Sequence, residues 1–431
     1  MAIIFLLVLV VMLLILRQNL IVVLGVAAGY CYLVFQTGGS AVFGLDPDLG
    51  RLRYVILDAW NAAQQEVLLS IPLFILAGNI MARGSIAERL IDIMRVLTAP
   101  VPGGLSIAIV LSCAIFAAIS GSALVTLIAV GGIMYPALIR EGYDKRFALG
   151  SLCSAGTLGI IIPPSIPLIL YGLMTQSNVA DLFKAGFGPA LVLTLLFSGY
   201  ALFQNWHRPR DRLEPGALIH ALRRGILALF MPVLILGGIY SGRFTATESA
   251  AVAVFYAVVV ELFIHREMGR KELVAVTLET GKMLGSLFPV IMMALSLNTF
   301  LAYEQVPQAM VEGLSDFITS PLTFWIMAMA VLIVVGLFMD IGAAILIMAP
   351  LLVPIATSFG IDPVHFGIVM IVNLSIGYLT PPMGMSIIVA MGAFREPFWT
   401  ICRAVAPFLL LMLVGLIIVI AVPELSLFMV R

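Results

Sequence analysis

The sequence predicts an all-α polytopic membrane protein built from two inverted repeats, each with a re-entrant hairpin and a broken helix. Three observations predict this fold class: an apolar composition, a set of prolines and glycines that recurs at a constant offset, and polar breaks inside apolar segments. The composition places the chain in a bilayer, and the other two observations define its internal architecture.

The composition excludes a soluble fold. Of the 431 residues, 62% are hydrophobic and 11% are charged, whereas soluble domains carry roughly 25% charged residues. Apolar runs of membrane-spanning length predict about ten to twelve membrane segments. The clearest runs are Ala190–Phe203, Gly225–Tyr240, Ala250–Ile264, Phe324–Phe338 and Val405–Val422. Because 23 basic and 23 acidic residues cancel, no basic face of the kind that nucleic acid requires is expected.

The first apolar run, Met1–Leu16, is predicted to be an uncleaved helix. It lacks the basic start and the small-residue cleavage site of a secretory signal, and Arg17 follows it. The four cysteines lie in apolar stretches without metal-type spacing, so they are predicted to be packing residues.

Two segments share a spacing of rare residues, which indicates an internal duplication. Pro136, Gly142, Asp144, Gly159, Pro163 and Pro164 recur 218 positions later as Pro354, Gly360, Asp362, Gly377, Pro381 and Pro382. A gapless match of this kind is not expected by chance.

The duplication divides the chain into five parts. They are N-terminal helices (1–95), a first repeat with a hairpin and a broken helix (96–185), the helices between the repeats (186–302), a second repeat with a hairpin and a broken helix (303–400) and a C-terminal transmembrane helix (401–431).

Charge indicates that the repeats have opposite orientations. The connections His207–Arg212 and His265–Lys271 are basic and are predicted to be cytoplasmic, whereas Glu304–Ser320 has no Lys or Arg and is predicted to be periplasmic. The flanks of the first repeat are basic, so the repeats are inverted. Inverted repeats are typical of secondary transporters whose binding site lies near the bilayer midplane.

Each repeat contains two breaks in apolar sequence. The first is Ser120-Gly121-Ser122 in one repeat and Met339-Asp340-Ile341-Gly342 in the other. Such tips are tolerated at membrane depth when they line a cavity, so both predict re-entrant hairpins. The second is a Pro-Pro pair, Pro163-Pro164 and Pro381-Pro382, which removes two amide donors and unwinds the helix.

The four breaks predict a cation and substrate site. Unwound backbone frees carbonyl oxygens for a hard cation such as Na⁺, and the N-termini of half helices suit a substrate carboxylate. The first sodium site is predicted to contain Ser120, Gly121, Ser122, Thr157 and Pro163. The second is predicted to contain Asp340, Gly342, Thr380 and Pro381. The predicted substrate contacts are Ser122, Ser165, Asp340 and Met383. No cofactor is predicted besides Na⁺ as the coupling ion.

A structural interpretation of the same residues stays open. Prolines and glycines can simply kink helices, and Ser or Thr can hydrogen-bond to the preceding turn. The symmetry of the four breaks favours a functional role for these residues over a purely structural one. Asp340 is either a capping residue at the hairpin tip or a functional group, because an ionisable side chain in apolar sequence is costly. Glu248 fits a capping box with Thr245.

At these residues the chain resembles the large membrane subunit of the tripartite ATP-independent periplasmic (TRAP) transporters. The resemblance spans nearly the whole chain. It rests on Ile71–Met81, Ile119–Ser122, Ile161–Pro167, Thr247–Val252, Asp362–Gly367 and Gly377–Gly384.

The resemblance implies an elevator-type ion transporter fold, in which a transport domain with both hairpins and both broken helices slides against a scaffold. It implies that the first and third parts of the chain (1–95 and 186–302) are scaffold helices, each with an arm, and that the two repeats form the transport domain. It also implies Na⁺ coupling, a small four-helix membrane subunit and a periplasmic substrate-binding protein. The implied substrate is a small organic acid, such as a C4-dicarboxylate, a sialic acid or another carboxylate, and the implied location is the bacterial inner membrane.

Two other functions stay open. A stand-alone sodium-coupled carboxylate or anion carrier would need neither accessory protein. An intramembrane enzyme would need a nucleophile with a base, or a metal set, at membrane depth. Ser122 has no histidine within its span, and no Gly-x-x-x-x-Gly-Lys-Ser/Thr motif occurs, so we expect a non-enzyme that is driven by an ion gradient.

Overall fold

The computed structural model describes residues 20–34, 52–314, 318–382 and 384–431. Within these ranges the secondary structure is helical and includes no strand. Ten helical segments of the described residues, one of which is the interrupted run Lys145–Thr175, are long and apolar enough to cross a membrane. The predicted all-α polytopic class is therefore confirmed. The predicted helix Met1–Leu16 and the predicted substrate contact Met383 lie outside the described residues.

Four helices precede the first repeat. They are α1 (Leu20–Val34), α2 (Leu52–Ala63), α3 (Glu66–Arg83) and α4 (Ile86–Thr98).

The first repeat forms the predicted hairpin and broken helix. Its helices are α5 (Gly104–Ser120), α6 (Ala123–Arg140), α7 (Lys145–Gly156), α8 (Leu158–Ile161), α9 (Ile166–Thr175) and α10 (Val179–Gln204). Helices α5 and α6 are the arms of hairpin 1. Helices α7 to α9 form broken helix 1, which is interrupted at the Pro-Pro pair because those residues supply no amide for the helical ladder.

Scaffold and arm helices follow. They are α11 (Pro215–Tyr240), α12 (Ala246–Val258), which continues as a π-helix (Val259–His265), α13 (Arg270–Tyr303) and α14 (Val306–Leu314). The predicted capping box starts α12: the Thr245 hydroxyl accepts from the Glu248 amide, and the Glu248 carboxylate accepts from the Thr245 amide.

The second arm is longer than the sequence predicts. The apolar sequence predicts a helix over about Met283–Tyr303, but α13 is one continuous helix of 34 residues that begins at Arg270. The Glu272 carboxylate accepts a hydrogen bond from the Gly269 amide at 2.7 Å, and this cap starts the helix early.

The second repeat has the same order as the first. Its helices are α15 (Pro321–Phe338), α16 (Ile341–Ser358), α17 (Pro363–Tyr378), α18 (Met385–Phe394), α19 (Phe398–Ala421) and the short α20 (Glu424–Leu427). Helices α15 and α16 form hairpin 2, and α17 and α18 form broken helix 2. Both Pro-Pro peptide bonds, Pro163-Pro164 and Pro381-Pro382, are cis.

The two repeats interlock. Helix α9, the last part of broken helix 1, packs against α16 of hairpin 2, and α18, the last part of broken helix 2, packs against α6 of hairpin 1. Helices α10 and α19, which are also equivalent, pack against each other and complete this core. The predicted domain boundary at residue 185 falls inside α10, and those at 95 and 400 fall inside α4 and α19.

The remaining helices pack both among themselves and on the hairpins: α4 packs on α5 as extensively as on α11, and α14 packs on α16. Helix α3 packs on α12, α4 on α11, and both α1 and α2 on α13. The arms α3 and α13 also contact the hairpins. All four cysteines are buried and unpaired, as predicted for packing residues.

Candidate substrate and cation site

The tips of both hairpins meet at one cavity of about 130 Å³. Ser122 lines it from hairpin 1 and Asp340 from hairpin 2, with Ile160 from broken helix 1 and Tyr378 from broken helix 2. Met283 of α13 adds a residue from the arm. The two repeats therefore contribute to a single site.

The cavity has a pseudo-twofold arrangement with unequal chemistry. Ser122 and Asp340 are 218 positions apart, which is the offset of the duplication, and so are Ile160 and Tyr378. The hairpin 1 side thus presents a hydroxyl and an alkyl group, and the hairpin 2 side presents a carboxylate and a phenol. Among the described residues that line the cavity, none is Lys, Arg or His.

Hairpin 1 turns at a glycine that fits against the proline break. Gly121 has φ +59°, and a Cβ on it would lie 2.5 Å from the Pro164 carbonyl oxygen. Only glycine adopts this left-handed conformation readily. The Ile166 amide donates to the Gly121 carbonyl at 3.4 Å. These contacts bring the predicted tip and the predicted break together.

Polar groups of hairpin 1 form a local network. The Ser120 and Thr126 hydroxyl oxygens are 2.8 Å apart, and the Thr126 hydroxyl donates to the Ser122 carbonyl at 2.8 Å. Thr126 was not among the predicted site residues. Its position four residues after Ser122 was the available signal, since a Thr hydroxyl can reach the carbonyl four residues before it.

Two further residues of the predicted site are buried in broken helix 1. The Thr157 hydroxyl donates to the Ser154 carbonyl at 2.7 Å. The Ser165 hydroxyl donates to the Ile160 carbonyl and accepts from the Leu168 amide at 3.4 Å, which caps α9. Both hydroxyls form hydrogen bonds with neighbouring backbone groups. Neither residue is among those that line the cavity.

The Asp340 side chain forms two hydrogen bonds, and the first is the helix cap that a purely structural role for this residue predicts. Its Oδ2 accepts from the Gly342 amide at 2.9 Å, which caps α16. Its Oδ1 accepts from the Tyr378 hydroxyl at 2.5 Å. The carboxylate is therefore held at the tip while it still faces the cavity.

The remaining residues of the second predicted site lie beyond Tyr378. The Thr380 hydroxyl donates to the Ile376 carbonyl at 2.7 Å, and the Thr380 carbonyl accepts from the Gly384 amide at 3.2 Å. A Cβ on Gly384 would lie 3.0 Å from the Tyr378 carbonyl oxygen and 3.1 Å from that of Thr380. The carbonyl oxygens of Tyr378 and Thr380 therefore both lie close to the Gly384 backbone in the unwound turn.

The arm helix α3 contacts the tip of hairpin 1 directly. A Cβ on Gly78 would lie 3.0 Å from the Ser120 Cα and 3.1 Å from the Ser120 carbonyl oxygen. Beside it, the Asn79 side-chain amide donates to the Thr280 hydroxyl of α13 at 3.0 Å. The two arms are therefore joined where one of them meets the hairpin.

A larger cavity of about 710 Å³ lies at the base of hairpin 1. It includes both signs of charge, among them Arg95, Glu141, Asp211 and Arg212, and it contains none of the helix breaks. The smaller cavity is the candidate site because the symmetric breaks converge there.

Comparison with known proteins supports the interpretation of the fold and the breaks. Residues 6–425 match the family model described as "Tripartite ATP-independent periplasmic transporter, DctM component". The chain is 39% identical to the C4-dicarboxylate TRAP transporter large permease protein DctM of Pseudomonas aeruginosa, over 91% of this chain and 92% of the relative.

The chain belongs to the DctM component family of TRAP transporters. The resemblance drawn from its motifs is thereby confirmed. Another member of the family, the 2,3-diketo-L-gulonate TRAP transporter large permease protein YiaN of Escherichia coli, is 33% identical over 93% of this chain and 95% of its own length.

The fold of this DctM family member is also found in a distant transporter. The YdaH transporter of Alcanivorax borkumensis superposes with a TM-score of 0.69 at 13% identity, over 94% of this chain and 98% of that structure. The inverted-repeat fold with two hairpins and two broken helices is therefore shared beyond the reach of sequence similarity.

Proposed function

We propose that this protein is the translocating subunit of a Na⁺-coupled, binding-protein-dependent secondary transporter that imports a small organic acid by an elevator movement. The observation that carries this proposal is the single cavity at which both hairpin tips meet, with Ser122 and Asp340 facing each other from the two repeats.

The charge of the cavity supports Na⁺ coupling. Asp340 is its one charged residue among those described, and no basic side chain lines it. A carboxylate substrate would therefore meet a like charge in surroundings of low dielectric, where repulsion is strong. Bound Na⁺ at the two predicted sites would offset this repulsion, so substrate and cation would enter together.

The substrate class follows from the amides and from the relatives. Ala123 and Leu124 of the first turn of α6 line the cavity, and the amides of a first helical turn have no partner within the helix and can bind a carboxylate. The two relatives named above carry a C4-dicarboxylate and 2,3-diketo-L-gulonate in their names. We therefore propose a small organic acid as the substrate.

The elevator movement follows from the packing. The two hairpins and the two broken helices interlock into one core, and α3, α4, α13 and α14 contact that core from outside. A core of this kind can move as a unit with its site. The proposed partners are a small four-helix membrane subunit and a periplasmic substrate-binding protein, and the proposed location is the bacterial inner membrane.

The test is uptake into proteoliposomes that contain this chain and its small subunit. Radiolabelled C4-dicarboxylates and sugar acids are offered with the binding protein, either with an inward Na⁺ gradient or with K⁺ in place of Na⁺. We expect accumulation only with Na⁺. Uptake that is equal in K⁺ would contradict the proposed coupling.

Omission of the binding protein distinguishes the alternative function. A stand-alone carrier would accumulate substrate at the same rate without the binding protein. The proposed transporter would lose most of its uptake.

A further inference from the structure

Tyr378 is a polar residue at the cavity to which no role has been assigned above. It is the last residue of α17 and immediately precedes the unwound turn of broken helix 2. Its side chain is 5% exposed, and its hydroxyl donates to Asp340 Oδ1 at 2.5 Å. A short bond from a phenol to a carboxylate is a charge-assisted hydrogen bond, the stronger class of such contacts.

Together, two contacts fix the Asp340 carboxylate. The Gly342 amide holds Oδ2 at 2.9 Å, and Tyr378 holds Oδ1. The first contact lies within hairpin 2, but the second joins the hairpin tip to broken helix 2. The orientation of the charge at the tip therefore depends on a residue of the other element.

The equivalent place in the first repeat lacks both groups. Ile160 stands where the second repeat has Tyr378, and Ser122 stands where it has Asp340. Tyr378 and Asp340 thus form a chemical pair that is confined to the hairpin 2 side.

We propose that Tyr378 is a positioning residue for the cation site at hairpin 2: it fixes the Asp340 carboxylate so that the free lone pairs of that group face a bound Na⁺. This inference rests on the proposed Na⁺ coupling. It makes the two cation sites unequal, because the hairpin 1 site relies on hydroxyl and carbonyl oxygens alone.

A matched pair of variants tests this role. Tyr378→Phe removes the hydroxyl at the cavity. Tyr171→Phe removes the same group from another buried tyrosine, whose hydroxyl donates to the Pro363 carbonyl at 2.6 Å and which is not among the residues that line the cavity. Both lose one hydrogen bond of a buried phenol, so a general loss of packing affects them alike.

The measurement is uptake at saturating substrate as a function of Na⁺ concentration, in proteoliposomes with the small subunit and the binding protein. We expect Tyr378→Phe to raise the half-saturating Na⁺ concentration about tenfold, as loss of a charge-assisted hydrogen bond predicts. The maximal rate at saturating Na⁺ should stay close to that of the wild type. Tyr171→Phe should leave the half-saturating concentration unchanged.

Two results would overturn the inference. One is a half-saturating Na⁺ concentration for Tyr378→Phe equal to that of the wild type, and the other is an equal shift in both variants. If the wild type itself shows no Na⁺ dependence, the proposed coupling fails as well, and this is visible without any variant. Should Tyr378→Phe be unstable in detergent, the same titration is made on membrane vesicles from expressing cells.

Discussion

Glu396 shows how single residues join elements of the core outside the membrane-spanning helices. It lies between α18 and α19, and its carboxylate accepts from the Tyr135 hydroxyl of α6 at 2.8 Å. Its other oxygen lies 2.8 Å from the Lys145 ammonium at the start of α7. One side chain therefore connects hairpin 1, broken helix 1 and the end of the second repeat.

The contacts of Glu396 predict a dependence of stability on pH. Burial acts to raise the pKa of Glu396, but the hydrogen bonds from Lys145 and Tyr135 and the Lys145 charge outweigh it, so that the pKa lies below its ordinary value of 4.5. A group with a depressed pKa contributes its full stability above the ordinary value, and this contribution is lost as the pH falls through the folded-state pKa.

We therefore expect Glu396→Gln to lower the stability of the purified protein at neutral pH by about 1 kcal/mol, a modest amount because Lys145 is half exposed. The difference between the wild type and the variant should shrink below pH 4.5. Thermal unfolding in detergent from pH 4 to 8 measures this.

The control for this experiment is Glu214→Gln, which neutralises an exposed carboxylate that forms no ion pair with any described residue. It should behave like the wild type at every pH. A Glu396→Gln variant that unfolds at the wild-type temperature throughout would contradict the assigned contacts.

At the residue scale, the sequence identifies the groups whose chemistry is unusual for their surroundings. Asp340 and Ser122 were predicted because polar groups in apolar sequence are costly. Tyr378 was not, because a tyrosine at the end of an apolar helix is ordinary by composition, and only the contact with Asp340 distinguishes it. Thr157 and Ser165 were predicted by their place beside the breaks, but their hydroxyls bond to neighbouring backbone.

At the scale of elements, the close contact between α3 and hairpin 1 is possible because Gly78 has no side chain. Gly78 is the point at which the Ser120 backbone touches the arm, and a methyl group there would be in tight contact with Ser120. If the core moves against the arms, this contact must form and break in each transport cycle.

Gly78→Ala is therefore expected to slow transport. Displacing the hairpin tip by a few tenths of an ångström costs about 1 kcal/mol, which corresponds to about a fivefold lower rate if the strain falls on the moving step. Uptake rates in proteoliposomes measure this effect, with protein amounts matched.

Gly285→Ala is the matched control, since Gly285 lies within α13 and a Cβ there meets no atom within 4 Å. Both substitutions replace a helical glycine, so both gain the same helix propensity. Equal rates for the two variants would show that the Gly78 contact does not limit transport.

The breaks of the elements could be predicted, but their lengths and contacts could not. Pro-Pro pairs and polar tips interrupt helices through local chemistry, so the hairpin turns and the unwound segments appear at the predicted residues. The start of α13 was missed because residues 270–282 are polar enough to be taken for a connection. The packing of α9 on α16 joins helices that are far apart in the sequence. The composition of either helix does not indicate this contact, so it could not be predicted.

At the scale of the whole molecule, the site exists because the repeats interlock. Neither repeat alone encloses the cavity, which needs Ser122 from one hairpin and Asp340 from the other. The constant offset predicted that two equivalent tips exist, but it could not predict that they face a common space. The central claim is that this shared cavity is the place where substrate and Na⁺ bind during transport.

One substitution in each repeat tests that claim most directly. Asp340→Asn removes the charge but keeps an oxygen that can accept from the Gly342 amide, so the cap of α16 is retained. Ser122→Ala removes a hydroxyl that makes no capping bond. Ser151→Ala is the control, because its hydroxyl bonds to the Ala148 carbonyl within α7 and is not among the groups that line the cavity.

The measurement is Na⁺-driven uptake in proteoliposomes, with the half-saturating concentrations of substrate and Na⁺ determined for each variant. A shared site predicts that both Ser122→Ala and Asp340→Asn raise at least one of these concentrations about tenfold, while Ser151→Ala matches the wild type. Wild-type values for either tip variant would contradict a site shared by the two repeats.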